Sequence, residues 1–151
     1  MARGFNPLLK FKQLGVLTTK FGQKTEQEAF HGGIDIAAPS STPIPAPTNG
    51  VVTKVDLGHK NGENSYGNTV EIQDAQGNTQ QYHHLQDALV QPGQQVQQGQ
   101  EIAQIGRSGA VYSPSGGDPS NLDMRVVTAW KKYKNPLTYL KEVSKNQYGS
   151  K

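Results

Sequence analysis

The chain has 151 residues, of which 33% are apolar and 7% aromatic, with 17 Gly, 9 Pro and a formal net charge of +3. That length suits one domain with a single core, and the composition describes short strands and many turns rather than a helix bundle. The basic residues gather near the ends, in Arg3 to Lys24 and in Lys131-Lys132-Tyr133-Lys134, too weak and scattered an excess to indicate nucleic-acid binding. The chain has no cysteine, which excludes disulfides, thiolate metal sites and cysteine nucleophiles, so any metal must be held by His, Asp, Glu or water. No segment approaches the roughly 18 continuous apolar residues of a membrane span. The opening MARGFNPLLKFKQLG contains no apolar run of signal-peptide type.

In chain order, residues 14–21 (LGVLTTKF) predict an opening strand and residues 22–28 a polar loop. The first strong strand, 34–38, follows the turn His31-Gly32-Gly33. Residues 39–47 are extended and proline-punctuated, which forbids a helix there. Residues 50–55 and 68–73 read as β-branched strands, 74–78 as a hairpin turn with Gly77 or Asn78 suited to positive φ, and 79–85 as the returning partner. Two V-x-x-G-Q turns join short strands across 90–102. That stretch is rich in glutamine, yet Val90, Val96, Ile102 and Ile105 give it a core. A strand at 102–105, a Gly/Ser/Pro loop at 106–120 and a final strand at 122–127 complete the pattern. Only the tail, 136–145, carries a helical pattern. The expected fold is all-β, mainly an antiparallel sheet or β-sandwich, with a short helical or irregular C-terminal tail.

Three clusters could carry chemistry. In His31-Gly32-Gly33-Ile34-Asp35 the glycines disfavour a helix, and the i and i+4 positions of an extended run share a face, so His31 and Asp35 could converge on one ion or could simply flank a solvated turn. In Tyr82-His83-His84-Leu85, strand alternation sends His83 and His84 to opposite faces, so at most one can meet His31. In Asn121-Leu122-Asp123-Met124-Arg125-Val126, alternation puts Leu122, Met124 and Val126 on the core side. Asp123 is left as a candidate ligand and Arg125 as its ion-pair partner. His59, in a loop, receives no role.

Phe21-Gly22, the HGGIDIAAP segment at 31–39, Thr42-Pro43-Ile44, Asn49-Gly50-Val51-Val52, Tyr66-Gly67-Asn68-Thr69-Val70, Tyr82-His83-His84-Leu85, the paired V-x-x-G-Q turns, Ile105-Gly106-x-Ser108-Gly109 and Asn135-Pro136-Leu137-x-Tyr139-Leu140 run in the order and spacing of the lysostaphin/LytM-type zinc endopeptidases, which the chain resembles over about residues 18–141. Residues 1–17 then form an N-terminal extension and 142–151 a tail. The resemblance implies an antiparallel β fold with a groove, Zn²⁺ held by the His and Asp of HxxxD and by the second His of a later H-x-H, and further histidines assisting. Carried over, His31 and Asp35 become metal ligands and His84 the catalytic histidine. The H-x-H slot reads Asn121-Leu122-Asp123, so one ligand has changed type and one catalytic histidine is replaced.

Asp123 remains an ordinary zinc ligand, but two carboxylates and one imidazole cancel the ion's charge. A less positive site activates water and polarises a peptide carbonyl less, and oxygen-rich ligation admits another divalent metal. Asn121 can orient a water or donate to an oxyanion, but it cannot exchange a proton near neutral pH. Two functions follow as expectations. One is a zinc-dependent peptidoglycan endopeptidase acting at the bacterial cell wall, of the kind a phage virion-associated or lysis protein would use. The other is a catalytically degenerate domain retaining the groove as a wall-binding or regulatory module. Tyr112, in the loop before the last strand, is expected to contact the substrate peptide. The V-x-x-G-Q turns also resemble lipoyl and biotinyl carrier barrels, but the hairpin tips here carry Gly, Gln and Asn rather than a modifiable lysine.

Overall fold

The computed structural model describes residues 4–111, 113 and 116–149. Helix α1 (Pro7–Lys12) opens it, and strands β1 (Val16–Thr19), β2 (Gly33–Ala37), β3 (Pro43–Pro45), β4 (Gly50–Asp56), β5 (Asn68–Gln73), β6 (Thr79–Ala88), β7 (Gln95–Val96), β8 (Glu101–Ile105), β9 (Asn121–Val127) and β10 (Tyr133–Lys134) precede helix α2 (Pro136–Gly149). The expected strands are all present. Their pairing is antiparallel throughout, in the order β1-β2-β9-β6-β5-β4-β7, with β10 beside β9 and β8 bridging β3 and β6. Among the described residues no helix is long and apolar enough to cross a membrane.

Alternation along the central strands divides their side chains. Ile34, Ile36, Leu122, Met124, Val126 and Tyr82 enter the core with Val70 and Ile72. The glutamine-rich turns are folded as expected, with Val90, Val96, Ile102 and Ile105 buried. In the 74–78 hairpin, Gly77 takes the positive φ of 85°. A buried polar chain crosses the core, in which Tyr82 Oη donates to Gln80 Oε1, Gln80 Nε2 to Tyr139 Oη and Tyr139 Oη to Asp74 Oδ2. Each member is satisfied, which makes polar groups tolerable at that depth.

Two expectations need correction. The tail is not the only helical segment, because α1 is a six-residue helix with Asn6 Oδ1 accepting from the Leu9 N–H and Pro7 in its first turn. It is too short for an apolar period to be visible. Alternation also fails at His84, whose φ of 64° puts a bulge in β6. Before the bulge β6 pairs with β9, up to His83↔Asp123; beyond it, from Leu85, it pairs with β8. The backbone at this junction is tied by Ser108 Oγ, which donates to Leu85 O and accepts from the Asn68 N–H.

The α1 segment is bound into the core. Phe11 is fully buried with its ring 6.5 Å from that of Tyr82, and the Leu8 N–H donates to Ser144 Oγ of α2. Phe11→Ala is expected to cost about 3–5 kcal/mol. Urea denaturation checks this, and an unchanged midpoint would mean that α1 is a dispensable appendage.

Candidate metal centre

β9 lies between β2 and β6, in a register that sets Asp35 opposite Asp123 and Asp123 opposite His83. Directly opposed residues project to the same face of a sheet, so the three form one row. Gly33, opposite Arg125, is demanded by space, since a Cβ there would lie 2.3 Å from Met124 O and 2.6 Å from Arg125 Cγ. His31 stands just ahead of β2. Its N–H donates to Gln23 O and its carbonyl accepts from the Gly22 N–H, which pins the ring beside the row.

His31, Asp35 and Asp123 offer ligand atoms that all lie within 4.8 Å of one another. His31 and Asp123 are buried, and Asp35 is partly so. The Nδ1 of His31 lies 2.9 Å from Glu28 Oε1, so Nδ1–H donates to that carboxylate and the lone pair of the neutral imidazole resides on Nε2. That nitrogen is buried without a hydrogen-bond partner, 3.3 Å from Asp35 Oδ1. A carboxylate behind a histidine, with the other ring nitrogen left open, is the usual arrangement of a metal-ligating imidazole.

Arg125 is where the site departs furthest from the expected picture. Strand alternation puts Asp123 and Arg125 on the face away from the core, and both are nevertheless buried, at 4% and 2% exposure. The guanidinium donates from Nε to Asp123 Oδ1 (3.0 Å) and from Nη2 to Asp123 Oδ2 (2.9 Å). It also reaches Glu28, through Nη2 to Oε1 (2.8 Å) and Nη1 to Oε2 (3.2 Å). The Tyr66 ring lies 4.9 Å from its Cζ and the Tyr133 ring 5.8 Å away. The pairing of Arg125 with Asp123 is as the sequence suggests; Glu28 and the two tyrosines are additional. Each Asp123 oxygen retains lone-pair capacity beyond its one arginine bond. Three carboxylates against one guanidinium leave two negative charges beside a neutral His31, which matches a divalent cation. The donor set therefore fits such an ion, with the charge of Arg125 cancelling that of Glu28.

The histidine pair is arranged differently from the alternation argument. His83 shares the face of Asp123, accepts or donates a 2.8 Å bond between Nδ1 and Thr69 Oγ1, and stacks on Tyr66 at 4.4 Å. Burial pushes its pKa down to about 4, against the pull of Asp123. His84 is also buried. Its Nδ1 donates to Ser108 O (2.8 Å) and its N–H to Tyr66 O, leaving Nε2 as the ring's acceptor. Asn121 is half-buried, with its amide donating to Pro119 O (2.9 Å). Among the described residues, His84 and Asn121 make no hydrogen bond to His31, Asp35 or Asp123. Tyr112 lies outside the described residues. His59 sits between Asp56 and Glu63, one carboxylate on each ring nitrogen, so those groups share no ion position.

Sequence reading missed Glu28, Tyr66 and His83 as members of the site. Glu28 lies in a loop with no periodicity, and only its position three residues before His31 could have marked it. Tyr66 had a signal only as a landmark of the resemblance.

Protonation of metal-free His31 is opposed by burial but favoured more strongly by Asp35, Glu28 and Asp123, which together raise its pKa to about 9. The folded pKa thus lies above the unfolded value near 6.5, so the contribution of this ion pair is complete below about pH 6.5 and is lost as pH rises through 9. In chelator-treated protein the urea midpoint is expected to fall between pH 6.5 and 9.5, and His31→Gln is expected to remove that fall. A variant with the wild-type alkaline slope would show that His31 is not the group responsible.

Residues 29–134 match the family model of Peptidase family M23. Over 90 residues the chain is 40% identical to the peptidoglycan DD-endopeptidase ShyC of Vibrio cholerae, a match covering 60% of this chain and 20% of that protein; the chain thus spans about a fifth of the curated relative's length. A mutant catalytic domain of the prophage-encoded M23 protein EnpA from Enterococcus faecalis superposes with a TM-score of 0.64 at 30% identity, covering 82% of this chain and 90% of that one. The catalytic domain of lysostaphin from Staphylococcus simulans shares the fold, with a TM-score of 0.72 at 22% identity over 87% of this chain and 96% of that one. The HGGID turn and the strands that carry its partners lie within the matched span, and the chain belongs to peptidase family M23.

Proposed function

We propose that the chain is a divalent-metal-dependent endopeptidase that cleaves peptide cross-links or stem peptides of peptidoglycan at the bacterial cell wall, as a virion-associated or lysis protein. The observation that carries this reading is the buried Nε2 of His31, which makes no hydrogen bond and faces Asp35 next to Asp123, in a cluster that has two negative charges in excess once His31 is neutral, as a metal ligand must be. Zn²⁺ is the ion expected, held by His31, Asp35 and Asp123. When bound, it polarises the scissile carbonyl and lowers the pKa of a water.

The chain's own residues do the rest. Glu28 fixes the His31 tautomer, and the strand register holds Asp35 and Asp123. His84, with Nδ1–H committed to Ser108 O, presents Nε2 as the acceptor for a proton. His83, held neutral by burial and stacked on Tyr66, walls the site without serving as a base at neutral pH. Asn121 can orient a water or donate to the developing oxyanion, and it leaves His84 as the single proton carrier. Tyr112 is proposed as a contact for the substrate peptide.

A second reading is favoured by the guanidinium fork on both oxygens of Asp123: a domain that keeps the groove and binds or regulates at the wall without cutting. Digestion of purified peptidoglycan, followed by chromatography of released muropeptides, decides between them. Zinc-loaded protein is expected to release product, His84→Ala to reduce the rate by about 10²–10⁴-fold, and Asn121→His to raise it. Sedimentation with peptidoglycan and no product from either wild type or Asn121→His would instead support the binding module. Tyr112→Ala is expected to raise KM; unchanged binding and turnover would end the proposed contact of Tyr112 with the peptide.

A further inference from the structure

Among the described residues Arg125 is the one guanidinium in the cluster, where it is buried beside Glu28, Asp123 and His31. Its fork engages both oxygens of Asp123 side-on, the geometry in which a guanidinium binds a carboxylate best. Its second face is bound by Glu28. The group cannot leave easily, being 2% exposed and lying near the rings of Tyr66 and Tyr133. Nor can it shed its charge, as a lysine or histidine could. Any divalent ion that His31, Asp35 and Asp123 hold must therefore share Asp123 with a fixed positive charge. The backbone of Asp123 does not depend on that fork for its place, because β9 is paired on both sides at this residue, to Asp35 and to His83.

We propose that Arg125 is a tethered cation that competes with the divalent ion for Asp123 and sets the metal affinity of the site low, so that the site fills only where the ion is plentiful. The inference rests on the metal-dependent reading above. A residue that merely positioned Asp123 would have the opposite effect, since ligand-supporting partners raise affinity and their loss lowers it by about 10–100-fold. The sign of the change therefore separates the two roles.

The test is Zn²⁺ affinity, measured in the full chain by competition with a chromophoric chelator, for wild type, Arg125→Met, Arg125→Gln, Arg125→Lys and His31→Ala. Arg125→Met removes the charge at similar length, and Arg125→Gln removes it while keeping an N–H donor for Asp123. Both are expected to bind Zn²⁺ at least about tenfold more tightly than wild type, with Arg125→Lys gaining less than either because a buried ammonium keeps part of the charge. Should either neutral variant be unstable without metal, its melting temperature is expected to rise more on zinc addition than that of wild type. Wild type binding through His31 with no gain in the neutral variants would overturn the role of Arg125 and leave the metal site standing. Absence of His31-dependent zinc binding in every variant would overturn both.

Discussion

The site depends on the insertion of β9 between β2 and β6. A one-residue slip on either side would turn Asp123 into the core and bring Leu122 or Met124 to the site face, because side chains alternate with a period of two. The register is held from the apolar side by Ile34, Ile36, Leu122, Met124, Val126 and Tyr82, all buried. It is held from the polar side by Gly33, where only a missing Cβ lets β2 approach Met124 O and the Arg125 stem. Core packing and site geometry are thus two faces of one set of strands, and a mutation that loosens the core would reach the carboxylates through the backbone.

Much of this was legible in residue order. The strands follow from β-branched runs and Gly/Pro punctuation, and the antiparallel class follows from their short connections. His31, Asp35 and Asp123 were identifiable as one group only through the resemblance, yet the pairing Asp35↔Asp123 gives that grouping a physical basis. What alternation could not supply was the bulge at His84. A strand rule assumes extended backbone, and a histidine at φ 64° breaks it, placing two adjacent histidines in buried positions where the rule allows one per face. Helix α1 was hidden for a different reason: at six residues its capping by Asn6 and Pro7 is the whole signal.

Charge was the quantity hardest to read from sequence. Counting only His31, Asp35 and Asp123, the ion would be neutralised outright. The structure adds Glu28 and Arg125, which offset each other, so the formal total stays the same while its distribution changes. Glu28 lies behind His31 and Arg125 against Asp123; on the proposed metal-binding reading the first strengthens its ligand and the second weakens its own. If Asp123 stands in for a second imidazole, as the resemblance implies, that change is accompanied by a guanidinium that withdraws part of the added negative charge. On the proposed metal-dependent reading, His31, Asp35, Asp123 and Arg125 act as one unit.

The claim on which this account stands is that one divalent ion is held by His31 Nε2 and by carboxylate oxygens of Asp35 and Asp123. Crystals grown with Zn²⁺ and measured across the zinc absorption edge test it directly. The account predicts one anomalous peak within about 2.0–2.2 Å of those three groups. A peak elsewhere, or none under zinc in excess with Arg125 still forked onto Asp123, would contradict it.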